Sequence, residues 1–329
     1  MTSQASPATD HNLAAETHLA AETHLAAETH LAAETHLAAE THLAAETHLA
    51  AETHMGRLEL RVRDMATQLA FYTEGVGLEP LTDEPGAVVL GHGGTPIVRL
   101  SESKDLRPAR RNEAGLFHTA VVYDQLPNLA MTLLSMFQRY PETYTGTGDH
   151  HVSQAFYFTD PEGNGVELYH DRPRDQWLWN NNQVHMTTEY IDPVDFVNTH
   201  LGGLDLDRIA PTEAELGHVH LQVGDVASAR AFYVDALGFD ETAALGNQAL
   251  FVSAGGYHHH MAMNVWNSRG AGPRAKTLGM GVVDILVPTD EEIAKVNERL
   301  TFAGRAATFD GRTLSTLDPW NNEIRLSVA

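Results

Sequence analysis

Histidine and carboxylate are the residues in this 329-residue chain with spacing that could do chemistry. There are 20 histidines and no cysteine, which rules out disulfides, thiolate metal sites and a cysteine nucleophile. Imidazole nitrogens remain for binding a divalent metal or for moving protons near neutral pH. They occur singly at His118, and in close sets at His150-His151, at His218 and His220, and at His258-His259-His260. One carboxylate stands out beside them. Glu167 lies six residues after Pro161, two past the turn sequence Asp160-Pro-Glu-Gly-Asn-Gly165. A lone histidine on a strand is more often packed or surface-exposed than a ligand, so placement has to decide.

Eight of the histidines, His11 through His54, lie in the N-terminal tail, seven of them in a repeat. From Leu13 to His54 the unit Leu-Ala-Ala-Glu-Thr-His occurs seven times. Its residues favour helix, and each His but the last precedes a Glu by four positions, as His18 precedes Glu22. A six-residue step, however, turns a helix by about 600°, so successive leucines fall roughly 120° apart. No apolar face forms, and residues 1–54 read as a low-complexity, disordered tail.

The remaining functional groups must be positioned by a duplicated architecture. Residues 60–79 align without a gap with residues 221–240. Both stretches read as an alternating strand (Leu60, Val62; Leu221, Val223), an Asp that caps a helix (Asp64, Asp225), Phe-Tyr on that helix, and a closing Gly at 77 or 238. Short strands follow, at Gly86–Leu90 and Pro96–Leu100 in the first copy and at Ala249–Val252 and His259–Val265 in the second. A second kind of segment begins at Leu116–Tyr123, continues through a helix to Phe137, and closes with Ala155–Thr159, the turn, and Val166–Tyr169. Val282–Val287 starts a similar unit that ends at Asp318-Pro319 and Ile324–Val328. The order strand–helix–three strands therefore recurs four times, which gives an α+β fold of four βαβββ modules. The domains are expected at 55–172 and 213–329, joined by a linker over 173–212.

These motifs resemble the vicinal oxygen chelate superfamily, which contains glyoxalase I, fosfomycin-resistance proteins and type I extradiol dioxygenases. The strings GHVHLQV, GGYHHH and DHHVSQAFYFTDPEGNGVELY look closest to two-domain bacterial catechol 2,3-dioxygenases, and the resemblance covers nearly everything after residue 55. It implies modules paired into two cupped half-barrels, with metal ligands at the start of a module's first strand and the middle of its last. Module one offers Arg57 and Val98-Arg99 at these places, and module four offers Met280-Gly281 and Arg325, with Glu323 two residues early. Modules two and three carry ligand types at both places: His118 and Glu167 in module two, His218 and the run His258-His259-His260 in module three. The set taken as the ligands is His118, Glu167 and His218, with a spare His on the last strand. The expectation is therefore that modules two and three build the active half-barrel around one metal, with modules one and four as a metal-free scaffold. His220 shares a strand face with His218 and is the alternative ligand there, although its later position suits a supporting role.

The resemblance implies ring cleavage of catechol or a substituted catechol by O2 on Fe(II), with Mn(II) as the alternative because ligand type does not separate them. His259 falls at the position of the general base. Tyr157 falls where a Tyr hydrogen-bonds the substrate, and His150 where a His orients oxygen, with His151 next to it. Trp266 and Asn264 are candidates for pocket walls. Competing readings are a glyoxalase or resistance enzyme of the same superfamily, and a metal-free small-molecule binder.

The formal charge of −23 disfavours nucleic acid, whose phosphates require clustered Lys and Arg. No apolar run approaches the ~20 residues of a membrane helix, and no signal peptide is evident. The expected partners are a small aromatic diol and O2, in the cytoplasm, with room for a homo-oligomer.

Overall fold

The computed structural model describes residues 47–205 and 213–329. Most of the expected disordered tail lies outside the described residues. Its last repeat unit does not behave as expected: His48–Ala329 form one compact unit. Leu49 is buried, its amide donates to the Gly238 carbonyl (2.7 Å), and Thr53 is buried beside it. The folded part thus starts before residue 55, because one Leu of the repeat finds an apolar socket that the repeat cannot supply itself.

Module one runs β1 (His54–Val62), α1 (Met65–Ala70), β2 (Glu79–Glu84), β3 (Ala87–His92) and β4 (Thr95–Glu102). Module two runs β5 (Gly115–Tyr123), α2 (Leu126–Arg139), β6 (Tyr144–Asp149), β7 (Ser153–Thr159) and β8 (Gly165–Asp171). The connecting stretch contains two-residue strands β9 (Trp179–Asn180) and β10 (Gln183–Val184) and a helix α3 (Pro193–Leu201). Module three follows as β11 (Ala214–Gln222), α4 (Val226–Tyr233), β12 (Asp240–Leu245), β13 (Ala249–Ser253) and β14 (Met261–Asn264). Module four is β15 (Gly279–Val287), α5 (Asp290–Phe302), β16 (Ala307–Phe309), β17 (Thr313–Leu317) and β18 (Glu323–Val328). The expected helix caps are present: Asp64 accepts from the Thr67 amide and Asp225 from the Ser228 amide. Gly77 and Gly238 both take positive φ (83° and 97°), the left-handed conformation that ends a helix without a Cβ penalty. None of the helices among the described residues is long and apolar enough to cross a membrane.

The sheets pair the modules as the ligand inventory demanded. One eight-stranded sheet has the order β12-β13-β14-β11-β5-β8-β7-β6, joining modules three and two. The other runs β16-β17-β18-β15-β1-β4-β3-β2 and joins modules four and one. Each join is an antiparallel pairing of two first strands, β11 with β5 and β1 with β15.

What holds the sequence neighbours together is the Phe-Tyr motif. Phe71, Tyr72, Phe232 and Tyr233 are fully buried, each removing enough apolar surface to stabilise by about 2–3 kcal/mol. The Tyr72 hydroxyl donates to Asp160 (3.4 Å) and Tyr233 to Asp318 (3.0 Å). These aspartates begin the two Asp-Pro turns. Asp318 also accepts from the Trp320 and Asn322 amides and from the Asn322 side chain, all at 2.8 Å. Module one is therefore latched to module two, and module three to module four, across the two sheets. Asp318→Ala strands the Tyr233 hydroxyl and the Asn322 amide in the interior. It is expected to cost about 2–4 kcal/mol in urea unfolding, with the metal content of the surviving folded protein unchanged. A loss of metal in step with stability would contradict the separation of the two sheets.

Candidate metal centre

Strand register builds the site. Across the active sheet, Tyr157 pairs with Glu167, Ala120 with Glu167, and His218 with Ala120. Directly paired residues face the same side of a sheet, so Tyr157, Glu167 and His218 share one face. His118 and His220, paired with each other and two residues from that row, share it too. Ala120 stands in the row between Glu167 and His218, and its methyl is small enough to let the larger side chains converge above it. Gly165 and Gly217 serve the same end. A Cβ at Gly165 would lie 2.2 Å from the Phe117 carbonyl, and one at Gly217 would lie 1.8 Å from the Tyr169 hydroxyl.

The result is a three-residue cluster. One donor atom each from His118, Glu167 and His218 lie within 4.8 Å of one another, and all three residues are buried. Glu167 Oε2 is 2.9 Å from His118 Nε2 and 3.2 Å from His218 Nε2. Despite that short separation, His118 Nε2 is left without a well-formed hydrogen bond. A buried ring nitrogen aimed beside a carboxylate, without bonding to it, fits a divalent ion standing between the two. Two imidazoles, one carboxylate and no thiolate suit non-haem iron or manganese.

Electrostatics prepares these donors. Burial pushes the His218 imidazole down to about 4, against the pull of Glu167. Burial pushes His220 and His259 well below the ordinary imidazole range, and neighbouring imidazoles oppose a further positive charge there. Burial alone would raise the Glu167 carboxyl, but the facing His218 and His118 overcome it and hold it well below the usual carboxylate range. Burial thus favours neutral imidazoles and the facing histidines favour an ionised carboxylate, the states a metal requires.

The cluster lies at a cavity of about 1210 Å³ that His118 and Glu167 line together with His259, Tyr157 and His150. The His259 ring lies 4.2 Å from that of His218. His150 Nδ1 is 2.7 Å from the Thr187 carbonyl, so it must carry the proton. Its Nε2 then accepts from the Tyr157 hydroxyl, also at 2.7 Å. His151, with φ of 65°, stacks on His185 instead and is not among the cavity residues. His220 packs edge-on against His118 and is 3.0 Å from the Asn264 side-chain amide. Trp266 and Phe117 pack edge to face at the cavity wall. Asn264 is fully buried behind His220 rather than lining the cavity.

Two things differ from the sequence reading. The histidine triplet precedes β14 rather than lying on it, so alternation does not govern which way its rings point. The connecting stretch is also part of the site: Met186, Thr187 and Thr188 line the cavity. A polar, irregular segment carries no periodic signal that could have placed it there. Glu323 lies in the other sheet, bonded to Arg325 at 2.8 Å.

Residues 54–168 and 215–324 match the Glyoxalase/Bleomycin resistance protein/Dioxygenase superfamily. The catechol-2,3-dioxygenase of Bacillus subtilis (strain 168) is 32% identical over 270 residues, which span 80% of this chain and 93% of that protein. Among solved structures, a candidate dioxygenase from Bacillus subtilis subsp. subtilis strain 168 aligns with a TM-score of 0.56 at 13% identity over 84% of both chains. A glyoxalase I variant from Zea mays aligns with a TM-score of 0.50 at 16% identity, over 84% of this chain and 92% of that one. At such identities the structural likenesses speak to the fold alone.

Proposed function

The chain belongs to the Glyoxalase/Bleomycin resistance protein/Dioxygenase superfamily, and from that premise we propose that it cleaves the ring of a catechol beside its two hydroxyls, using O2. The observation that carries the reading is the convergence of His118, Glu167 and His218 at the cavity that also receives His259 and Tyr157. The similarity to a protein named catechol-2,3-dioxygenase supports the same choice within the family.

His118, Glu167 and His218 would hold Fe(II). When bound, the iron supplies Lewis acidity toward the adjacent hydroxyls and the electron chemistry that O2 needs. The protein's own residues handle protons and position. His259, kept neutral by burial, takes a proton from one hydroxyl of the diol and returns it later. Tyr157, whose proton is committed to His150, offers its oxygen lone pairs to the substrate. Leu116, Phe117, Phe251 and Trp266 give the aromatic ring apolar walls and keep water from the reacting atoms.

The test is anaerobic loading with Fe(II), then catechol and air, following the yellow ring-fission product. Wild-type protein should turn over, as should Glu323→Ala. His259→Ala should lower kcat by about 100-fold or more. Absence of metal uptake and of colour with every catechol would remove the proposal. Turnover of a hemithioacetal by the Ni(II)- or Zn(II)-loaded protein would move it to the glyoxalase branch.

A further inference from the structure

β8 presents three polar residues on one face at every second position: Glu167, Tyr169 and Asp171. Glu167 belongs to the metal cluster, and the other two lead elsewhere. The Tyr169 and Tyr257 hydroxyls are 2.6 Å apart, and Tyr257 donates to Asp171 Oδ2 at 2.8 Å. Asp171 Oδ1 is 2.9 Å from His258 Nε2, and His258 Nδ1 is 2.7 Å from His259 Nδ1. His258 is fully buried, with its backbone carbonyl held by the Thr242 hydroxyl at 2.6 Å.

The proton positions in this chain follow from what each atom can do. A carboxylate only accepts, so His258 Nε2 carries a hydrogen and donates to Asp171. A neutral imidazole has one donor and one acceptor, so His258 Nδ1 must accept. His259 Nδ1 then carries the hydrogen, and His259 Nε2 is left with its lone pair. His259 lines the cavity, and its hydrogen bond to protein among the described residues runs through Nδ1, not Nε2. Free imidazole side chains prefer the opposite tautomer, with hydrogen on Nε2, so the arrangement is imposed rather than inherited.

We propose that Asp171 and His258 are positioning residues that fix His259 in the Nδ1–H tautomer and present its Nε2 lone pair to the substrate hydroxyl. This rests on the catechol-cleaving reading for its substrate, but the tautomer stands or falls by itself. In the step it serves, the O–H bond of one diol hydroxyl breaks and the proton goes to His259 Nε2. The resulting imidazolium keeps its Nδ1–H bond to His258, and Asp171 stabilises the charge through His258. No other atom changes hands.

The experiment uses the full chain labelled with 15N-histidine, with and without diamagnetic Zn(II), and reads ring tautomers by long-range 1H–15N correlation. His259 is assigned by its disappearance in His259→Gln. Wild-type protein should show His259 as Nδ1–H. His258→Phe keeps a ring but removes the acceptor, and should shift His259 toward Nε2–H. In the Fe(II)-loaded enzyme it should lower kcat by about 10- to 100-fold, with KM and iron content unchanged. His258→Gln can again donate to Asp171 and accept from His259, so it should recover a large part of kcat where Phe does not. An Nε2–H tautomer in wild type, equal kcat for His258→Phe and wild type, or equal losses for Phe and Gln would each overturn the proposal. A wild type that is inactive on catechols yet shows Nδ1–H would overturn the function while leaving the relay.

Discussion

Glu167→Gln is expected to fold, to lose its divalent metal during purification, and to be inactive. Glu167 is the only anion in the three-residue cluster, so it alone offsets the charge of a dication in a buried place. Glutamine has the same shape but supplies no charge, and half of its terminal group is a donor that no metal accepts. Breaking a buried charge pairing costs about 3–5 kcal/mol, which corresponds to roughly 10²- to 10⁴-fold in Kd. The measurement is metal content by mass spectrometry together with a Zn(II) titration. The metal-free protein should also lose some stability at neutral pH, since the folded chain holds the Glu167 carboxyl well below its usual range and its ionised form therefore stabilises the fold. A variant that keeps stoichiometric metal and wild-type turnover would show that the cluster is not the metal site.

The metal-free protein should unfold in mild acid. His218 is held at about 4 and His260 at about 3, in both cases by burial first, and burial also holds His220 and His259 well below the ordinary value of 6.5. Above pH 6.5 both folded and unfolded chains carry these rings neutral, and pH has no leverage through them. Below 6.5 the unfolded chain binds protons that the folded one refuses, so stability falls as pH drops. The loss continues until the folded values are reached, near 4 for His218 and 3 for His260. Each fully titrating ring contributes about 1.4 kcal/mol per pH unit, against a whole-domain stability of about 5–15 kcal/mol. Glu167 adds to the effect below pH 4.5, because its folded carboxyl is depressed and its contribution is also lost in acid. Circular dichroism against pH should place the transition between pH 6.5 and 4. Added metal should move it downward, because the ion binds only the folded state. A metal-free protein unchanged to pH 4 would mean that these rings are not buried in solution.

The fold was legible because its signals are local and repeated. Asp64 and Asp225 cap helices, Gly77 and Gly238 end them, and the two Asp-Pro turns recur in the same place. The pairing of modules two and three also followed from sequence, since His118, Glu167 and His218 assemble one complete donor set in no other way. Other features were not legible. The orientation of His258 and His260 depends on a loop, where strand alternation gives no guidance. The partner of His150 is a carbonyl at Thr187, and a backbone atom has no residue-type signature at all. Nor did the repeat announce that one of its leucines, Leu49, packs against module three while leucines of identical context precede it.

The Tyr72–Asp160 and Tyr233–Asp318 latches join each pair of sequence-adjacent modules, while the sheets join the outer pair and the inner pair. The two halves of the chain are therefore interlaced, and the donors of the proposed metal site are divided between them. In evolutionary terms, the unit of inheritance for this site is the whole chain. Recombination that swaps one half between relatives severs His118 and Glu167 from the His218 and His259 with which they were selected. The site can drift in its walls, but its donors have to descend together.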